Sequence, residues 1–120
     1  PMRLDPQSLE TLGSKTFRPD LRFSPFLAHP RVEPDGTVWN LGSGCDKAII
    51  WKLAPGGALA SVELVPLPQA SYFHDFTATS RHLIIVLQPW LQEQGFRLPV
   101  ATGLTWRADR PTLVLVIDKN

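Results

Sequence analysis

Proline is the feature that most constrains this chain. It occupies 12 of 120 positions, about double the ordinary ~5%, and each proline removes a backbone donor and fixes φ. Long helices are disfavoured; short elements joined by stiff loops are favoured. The spacing divides the chain in two. Residues 1 to 36 carry Pro6, Pro19, Pro25, Pro30 and Pro34 with no sustained apolar period, which predicts a loop-rich entry segment. Within it, "LDPQSLETLG" is expected to form one short helical turn ended by Gly13. Residues 37 to 120 read as an antiparallel β meander.

The meander is built from strand formers and breakers. "TVWNL" (37–41) reads as a strand that "GSGCDK" (42–47) interrupts. "AIIWKLAPGGALASVELVPL" (48–67) reads as a hairpin, because Gly56 and Gly57 can take the positive φ of a tight turn. "HDFTAT" (74–79) and "HLIIVL" (82–87) make a second hairpin, and Pro89 stops its ladder. "LTWRA" (104–108) and "TLVLVID" (112–118) are expected to form a third around "DRP". Between them, "WLQEQGFRLP" (90–99) is a connector with room for a helical turn before Gly95. Few helix signals and three hairpin-like units indicate an all-β meander, as in a propeller or a barrel.

The ends are informative in a different way. The first residue is Pro, although removal of an initiator before Pro would give the same start. The last residues, "TLVLVIDKN", form an apolar strand with nothing after it to pair with or to cover its second face. The expectation is a piece of a larger protein.

Charge narrows the partners. Twelve basic and 11 acidic residues give a net charge of +1, and the basic residues are scattered, so nothing asks for nucleic acid or an anionic lipid surface. Cys45 is the single cysteine; it reads as a small loop residue, and a reducing, cytoplasmic location is the default. No apolar stretch approaches the ~20 residues of a membrane-spanning helix.

Most catalytic constellations fail at once. No G-x-S-x-G elbow accompanies Ser71 or Ser80. The "GSG" and "PGG" glycines lie in strand turns with no following helix to cradle a phosphate. Glu10, Glu33, Glu63 and Glu93 are isolated. Three histidines remain. His82 follows a turn and opens a strand, so it reads as a half-exposed strand residue. His29 precedes Pro30, which pushes it toward an extended conformation, and His74 sits between Phe73 and Phe76 at the opening of an expected strand. Imidazole is a common ligand for Fe, Zn and Cu. The spacing of His29 and His74 matches no short metal motif, however, and satisfied core or loop histidines explain the same residues.

Two segments taken together narrow the choice. "AHPRVEPDGTVWNLG" (28–42) followed by "SYFHDFTATSRHLIIVLQP" (71–89) resembles the carotenoid cleavage oxygenase family, which includes apocarotenoid- and stilbene-cleaving dioxygenases and the retinal pigment epithelium isomerase. "RLDPQSLETLG" and "LTWRADRPTLVLVID" resemble the family's flanking stretches, in the same order. The resemblance implies a fragment, about two consecutive blades, of a seven-bladed β-propeller. In that family an axial iron(II) is held by four histidines beneath an apolar tunnel. It implies His29 and His74 as the first two ligands, Fe(2+) as cofactor, O2 and a lipophilic polyene or stilbene-like molecule as substrates, and cleavage of a C=C bond to two carbonyl products. Asp75 and Thr79 read as turn residues and Phe76 as packing. The resemblance also implies peripheral membrane contact through Trp90, Leu91 and Phe96. The other two ligands, the carboxylates that orient metal-bound imidazoles and the remainder of the propeller lie outside this sequence. The isolated chain is therefore expected to be inactive, and cleavage versus isomerisation stays open. The alternative reading is a non-catalytic propeller segment or a small β binding module.

Overall fold

The computed structural model describes residues 1–93 and 100–119. The strands are β1 (Met2–Leu4), β2 (Thr11–Ser14), β3 (Arg31–Val32), β4 (Val38–Gly44), β5 (Lys47–Leu53), β6 (Leu59–Pro66), β7 (Thr77–Ala78), β8 (His82–Leu87), β9 (Trp90–Leu91), β10 (Thr105–Trp106) and β11 (Leu113–Asp118). Among the described residues there is no α-helix, and two short 3-10 turns, Pro19–Leu21 and Val100–Gly103, complete the elements.

Two sheets dominate. The first is a four-stranded antiparallel meander in the order β3-β4-β5-β6; the second has three strands in the order β11-β8-β7. Their facing surfaces supply one core: Trp39, Leu41, Ala48 and Ile50 from the first sheet meet Leu83, Ile85 and Leu87 from the second, with Phe73 and Phe76 between. The other face of β4 and β5 is also covered. Phe17 and Phe26 stack on each other, and both meet Trp51, Phe17 at a tilt and Phe26 edge-on, each pair with ring centroids 5.6 Å apart. Cover on both faces explains why "AIIW" runs apolar without alternation. The Ala54–Ala58 turn between β5 and β6 places Gly56 at φ 91° and Gly57 at φ 86°, as the sequence leads one to expect.

Among the described residues, the second sheet is covered on one face only. Leu83, Ile85 and Leu87 are fully buried, whereas Val86, Val114 and Val116 on the opposite face are 48, 63 and 55% exposed.

Four local expectations need correction. "LDPQSLETLG" forms the turn and second strand of the β1–β2 hairpin instead of a helical turn. The Asp5 carboxylate accepts the N–H groups of Ser8 and Gln7, each at 2.8 Å, and Leu9 takes a left-handed φ of 61°, so the turn closes without a helix. "GSG" does not interrupt the first strand. β4 runs through Gly44 and reverses at Cys45, whose φ is 57°. The strand expected over residues 74–79 is reduced to Thr77–Ala78. β10 and β11 do not pair with each other: β10 pairs with β9, and β11 pairs with β8 over its whole length. The alternation of Leu113, Leu115 and Ile117 is in phase with the buried face of β8, and that burial selects the longer-range partner. The helical turn expected near Gly95 lies outside the described residues.

Candidate metal centre

His29 is presented by surplus chain at the edge of β4. The Leu27 N–H donates to the Leu41 carbonyl at 2.8 Å, and Asn40 Nδ2 donates to the Leu27 carbonyl at 2.8 Å. Four residues later Arg31 pairs with Trp39 in the sheet. More chain separates Leu27 from Arg31 than separates Leu41 from Trp39, so the intervening residues arch away from the strand as a bulge does. His29 rides on that arch and is exposed.

His74 is presented by a different device. Phe73 and Phe76 are 3 and 4% exposed and belong to the core. Pinning both rings inward throws His74 and Asp75 outward, and both are exposed. The question left by the sequence, core residue or ligand, is thus half answered: neither imidazole belongs to the core that this chain's two sheets form.

The two devices bring the rings together. Nε2 of His29 lies 3.2 Å from Nε2 of His74 across 45 residues of sequence, with ring centroids 5.2 Å apart and planes at 62°. Nδ1 of His74 faces the Tyr72 hydroxyl at 3.4 Å, which leaves its Nε2 as the atom directed at His29. In neutral imidazoles, one Nε2–H can donate to the other Nε2. The same spacing suits a shared ion, because at metal–nitrogen distances of about 2.0–2.1 Å two nitrogens this far apart subtend roughly 100°. The donor set therefore fits a metal that takes neutral nitrogen ligands. No cluster of three or more His, Cys, Asp or Glu forms among the described residues, so the two imidazoles do not make a closed site by themselves.

Arg31 and Asp75 flank the pair. Arg31 Nη2 donates to Asp75 Oδ1 at 2.9 Å and also to the Phe76 carbonyl, while Nη1 donates to the His29 carbonyl at 3.4 Å. Partial desolvation pushes the Asp75 carboxyl up, but the Phe76 N–H and the adjacent guanidinium outweigh it and hold the group below the usual carboxylate range. Asp75 is therefore more than the turn residue the sequence suggests. Thr79 is a turn residue, its Oγ1 accepting the N–H groups of Arg81 and His82, and Phe76 packs in the core.

Beside His74 opens a cavity of about 730 Å³ whose walls include Arg31, Tyr72, Phe73, Phe76, Val86 and Trp90. Its size and mainly apolar wall fall in the range of small-molecule sites. His82 is half-buried at the start of β8 and lies outside this group. Trp90 is 42% exposed and pairs edge-on with Trp106 at 5.5 Å. Leu91, expected beside Trp90 at a membrane surface, is 7% exposed and faces the protein, because alternate residues of β9 point to opposite sides. Phe96 lies outside the described residues. No helix among the described residues is long and apolar enough to cross a membrane.

Arg31 and Tyr72 are the site residues that sequence reasoning missed. Proximity to the two histidines was the available signal: Arg31 follows His29 by two positions, and Tyr72 precedes His74 by two.

Comparison with known proteins supplies the lineage. Carotenoid isomerooxygenase of Galleria mellonella is 28% identical over 139 residues, covering 98% of this chain and 27% of its own length. Beta,beta-carotene 15,15'-dioxygenase of Rattus norvegicus is 27% identical, covering 98% of this chain and 26% of its own length. Among solved structures, lignostilbene dioxygenase of Pseudomonas brassicacearum matches with a TM-score of 0.80 and 30% identity, over 100% of this chain and 26% of that one. This chain thus spans about a quarter of the length of these relatives, 26 to 27%. The likeness assigns the two large sheets to a seven-bladed β-propeller. The model of the retinal pigment epithelial membrane protein family matches residues 1–120, and the chain belongs to that family of carotenoid oxygenases.

Proposed function

We infer that the protein containing this chain is a non-haem iron(II) dioxygenase that cleaves a C=C bond of a carotenoid, apocarotenoid or stilbene-like molecule. The observation that carries this reading is the meeting of His29 Nε2 and His74 Nε2 at 3.2 Å in a chain of this family. His29 and His74 are the residues that would hold the metal. When bound, iron(II) held by imidazoles would supply O2 activation at the coordination positions that the protein ligands leave open.

This chain's other residues have simpler tasks. The Tyr72 hydroxyl beside Nδ1 of His74 orients that ring so that Nε2 is the free donor. The walls of the cavity, with Phe73, Phe76 and Val86, accept an apolar substrate and exclude water. Both atoms of O2 enter the two carbonyl products, so the balance requires no external reductant.

Two imidazoles are too few for firm binding, so the isolated chain is expected to hold Fe(II) more weakly than about 1 μM and not to turn over. Sub-micromolar affinity in that chain would contradict this. A cytoplasmic location is proposed with it, in keeping with the single free thiol of Cys45, together with peripheral membrane contact through exposed Trp90.

The test is turnover by the full-length protein. Incubated with ¹⁸O2 and either a polyene or a stilbene, it should release two carbonyl fragments, each carrying one labelled oxygen. Isomerised substrate without label would replace cleavage by isomerisation. Unchanged substrate of every kind, with iron bound, would favour a non-catalytic propeller.

A further inference from the structure

We propose that Arg31 is a positioning residue for the two imidazoles, fastening the His29 segment to the His74 segment so that their Nε2 atoms meet. The proposal rests on the iron reading above. Both histidines sit on exposed excursions from different sheets, so packing of the rings themselves does little to fix their separation.

A single guanidinium spans the gap. It reaches the carbonyl of His29 itself at 3.4 Å on one side, and on the other the Asp75 carboxylate at 2.9 Å and the Phe76 carbonyl. Its Cζ lies 5.2 Å from the centroid of the Phe76 ring, which is anchored in the core. Asp75 is in turn held by the Phe76 N–H, which donates to Oδ1 at 2.7 Å. The His74 segment is thereby gripped through its neighbours and the His29 segment through its own backbone. These contacts use two separate nitrogens, Nη1 and Nη2, of one rigid fork; the ammonium of lysine gathers its donors on a single atom and does not match that spread. The carboxylate offsets the guanidinium, so the clamp adds little net charge beside the imidazoles.

Exposure separates this role from a structural one. Within this chain the Arg31 and Asp75 side chains are 35 and 49% exposed, and ion pairs that open to water add little to stability. Breaking the clamp should therefore loosen metal binding while leaving the melting temperature nearly unchanged.

The experiment uses the full-length protein and its R31Q, R31K, D75A, H29A and H74A variants. Fe(II) affinity is measured by chelator competition, ligand geometry by the EPR spectrum of the nitrosyl adduct, and fold by the melting temperature of the metal-free protein. R31Q should bind Fe(II) about tenfold or more weakly, with a broadened or shifted nitrosyl spectrum and a melting temperature within about 3 °C of wild type. R31K should recover only part of the affinity. Should R31Q fail to fold, D75A carries the test, with a smaller loss in the same direction. Wild-type affinity and spectrum in both R31Q and D75A, while H29A and H74A lose iron, would overturn the positioning role alone. Iron loss that merely follows a fall in melting temperature would overturn it too. Full iron binding in H29A and H74A would overturn the iron reading itself, and this proposal with it.

Discussion

Gly42 passes so close beneath Pro25 that a Cβ on residue 42 would stand 2.2 Å from the Pro25 carbonyl oxygen and 2.8 Å from its carbon. Both are backbone atoms of a segment that leads directly to His29. The same oxygen accepts a hydrogen bond from Trp51 Nε1 at 3.0 Å, and Trp51 is 2% exposed. Gly42→Ala must displace the strap and leave the indole N–H without its partner. A loss of at least about 2 kcal/mol is expected from overpacking and a buried unsatisfied donor. Gly44→Ala is the control, because its Cβ would meet nothing nearer than Lys47 O at 3.4 Å. Denaturant unfolding of the two variants checks this; equal stabilities would contradict the tight crossing.

Lys119 closes the other end of the inter-sheet contact. Its ammonium donates to the Glu33 carboxylate and the Thr79 carbonyl, and stands 5.7 Å from the centre of the Trp39 ring. Only 7% of its side chain is exposed, against 27% for Glu33. Lys119→Met strands a partly buried carboxylate and should cost about 2–3 kcal/mol, somewhat below the value for a fully buried pair. Adding Glu33→Gln should return part of that loss. A double-mutant cycle that gives a coupling above about 1 kcal/mol supports the contact; strict additivity argues against it.

Trp90 and Trp106 form an exposed edge-on pair, 42 and 51% accessible. Aromatic rings of this kind favour the membrane–water interface. If this ridge touches membranes, Trp90→Ser with Trp106→Ser should reduce sedimentation of the full-length protein with neutral phosphatidylcholine vesicles several-fold, without altering its melting temperature. Unchanged sedimentation would remove Trp90 from the membrane reading, and Leu91, being buried, could not take its place.

What the sequence made legible was local. "APGGA" carries its own turn chemistry, and Gly56 and Gly57 take the positive φ it requires. "HLIIVL" forms β8 as its composition suggests. What it left hidden depends on distant partners. Local pattern folds β11 back on its sequence neighbour, but the buried face of β8 is the better match for its alternation. Gly42 looked like a strand breaker because nothing nearby in sequence shows that Pro25 must cross there. The exposure of His74 follows from Phe73 and Phe76 both turning inward, which requires a second sheet to receive them. The resemblance named His29 and His74 together, but local pattern could not bring them within 3.2 Å. The role of Arg31 is hidden in the sequence for the same reason, its partners Asp75 and Phe76 lying 44 and 45 residues away.

The central claim, that His29 and His74 jointly hold iron(II), is tested most directly by metal content. Full-length wild-type protein, purified anaerobically and loaded with Fe(II), should retain close to one iron per chain after desalting. His29→Ala and His74→Ala should each lose most of that iron while keeping the wild-type far-UV circular dichroism, since neither side chain belongs to the apolar core of this chain. Retention of wild-type iron by both folded variants would contradict the account.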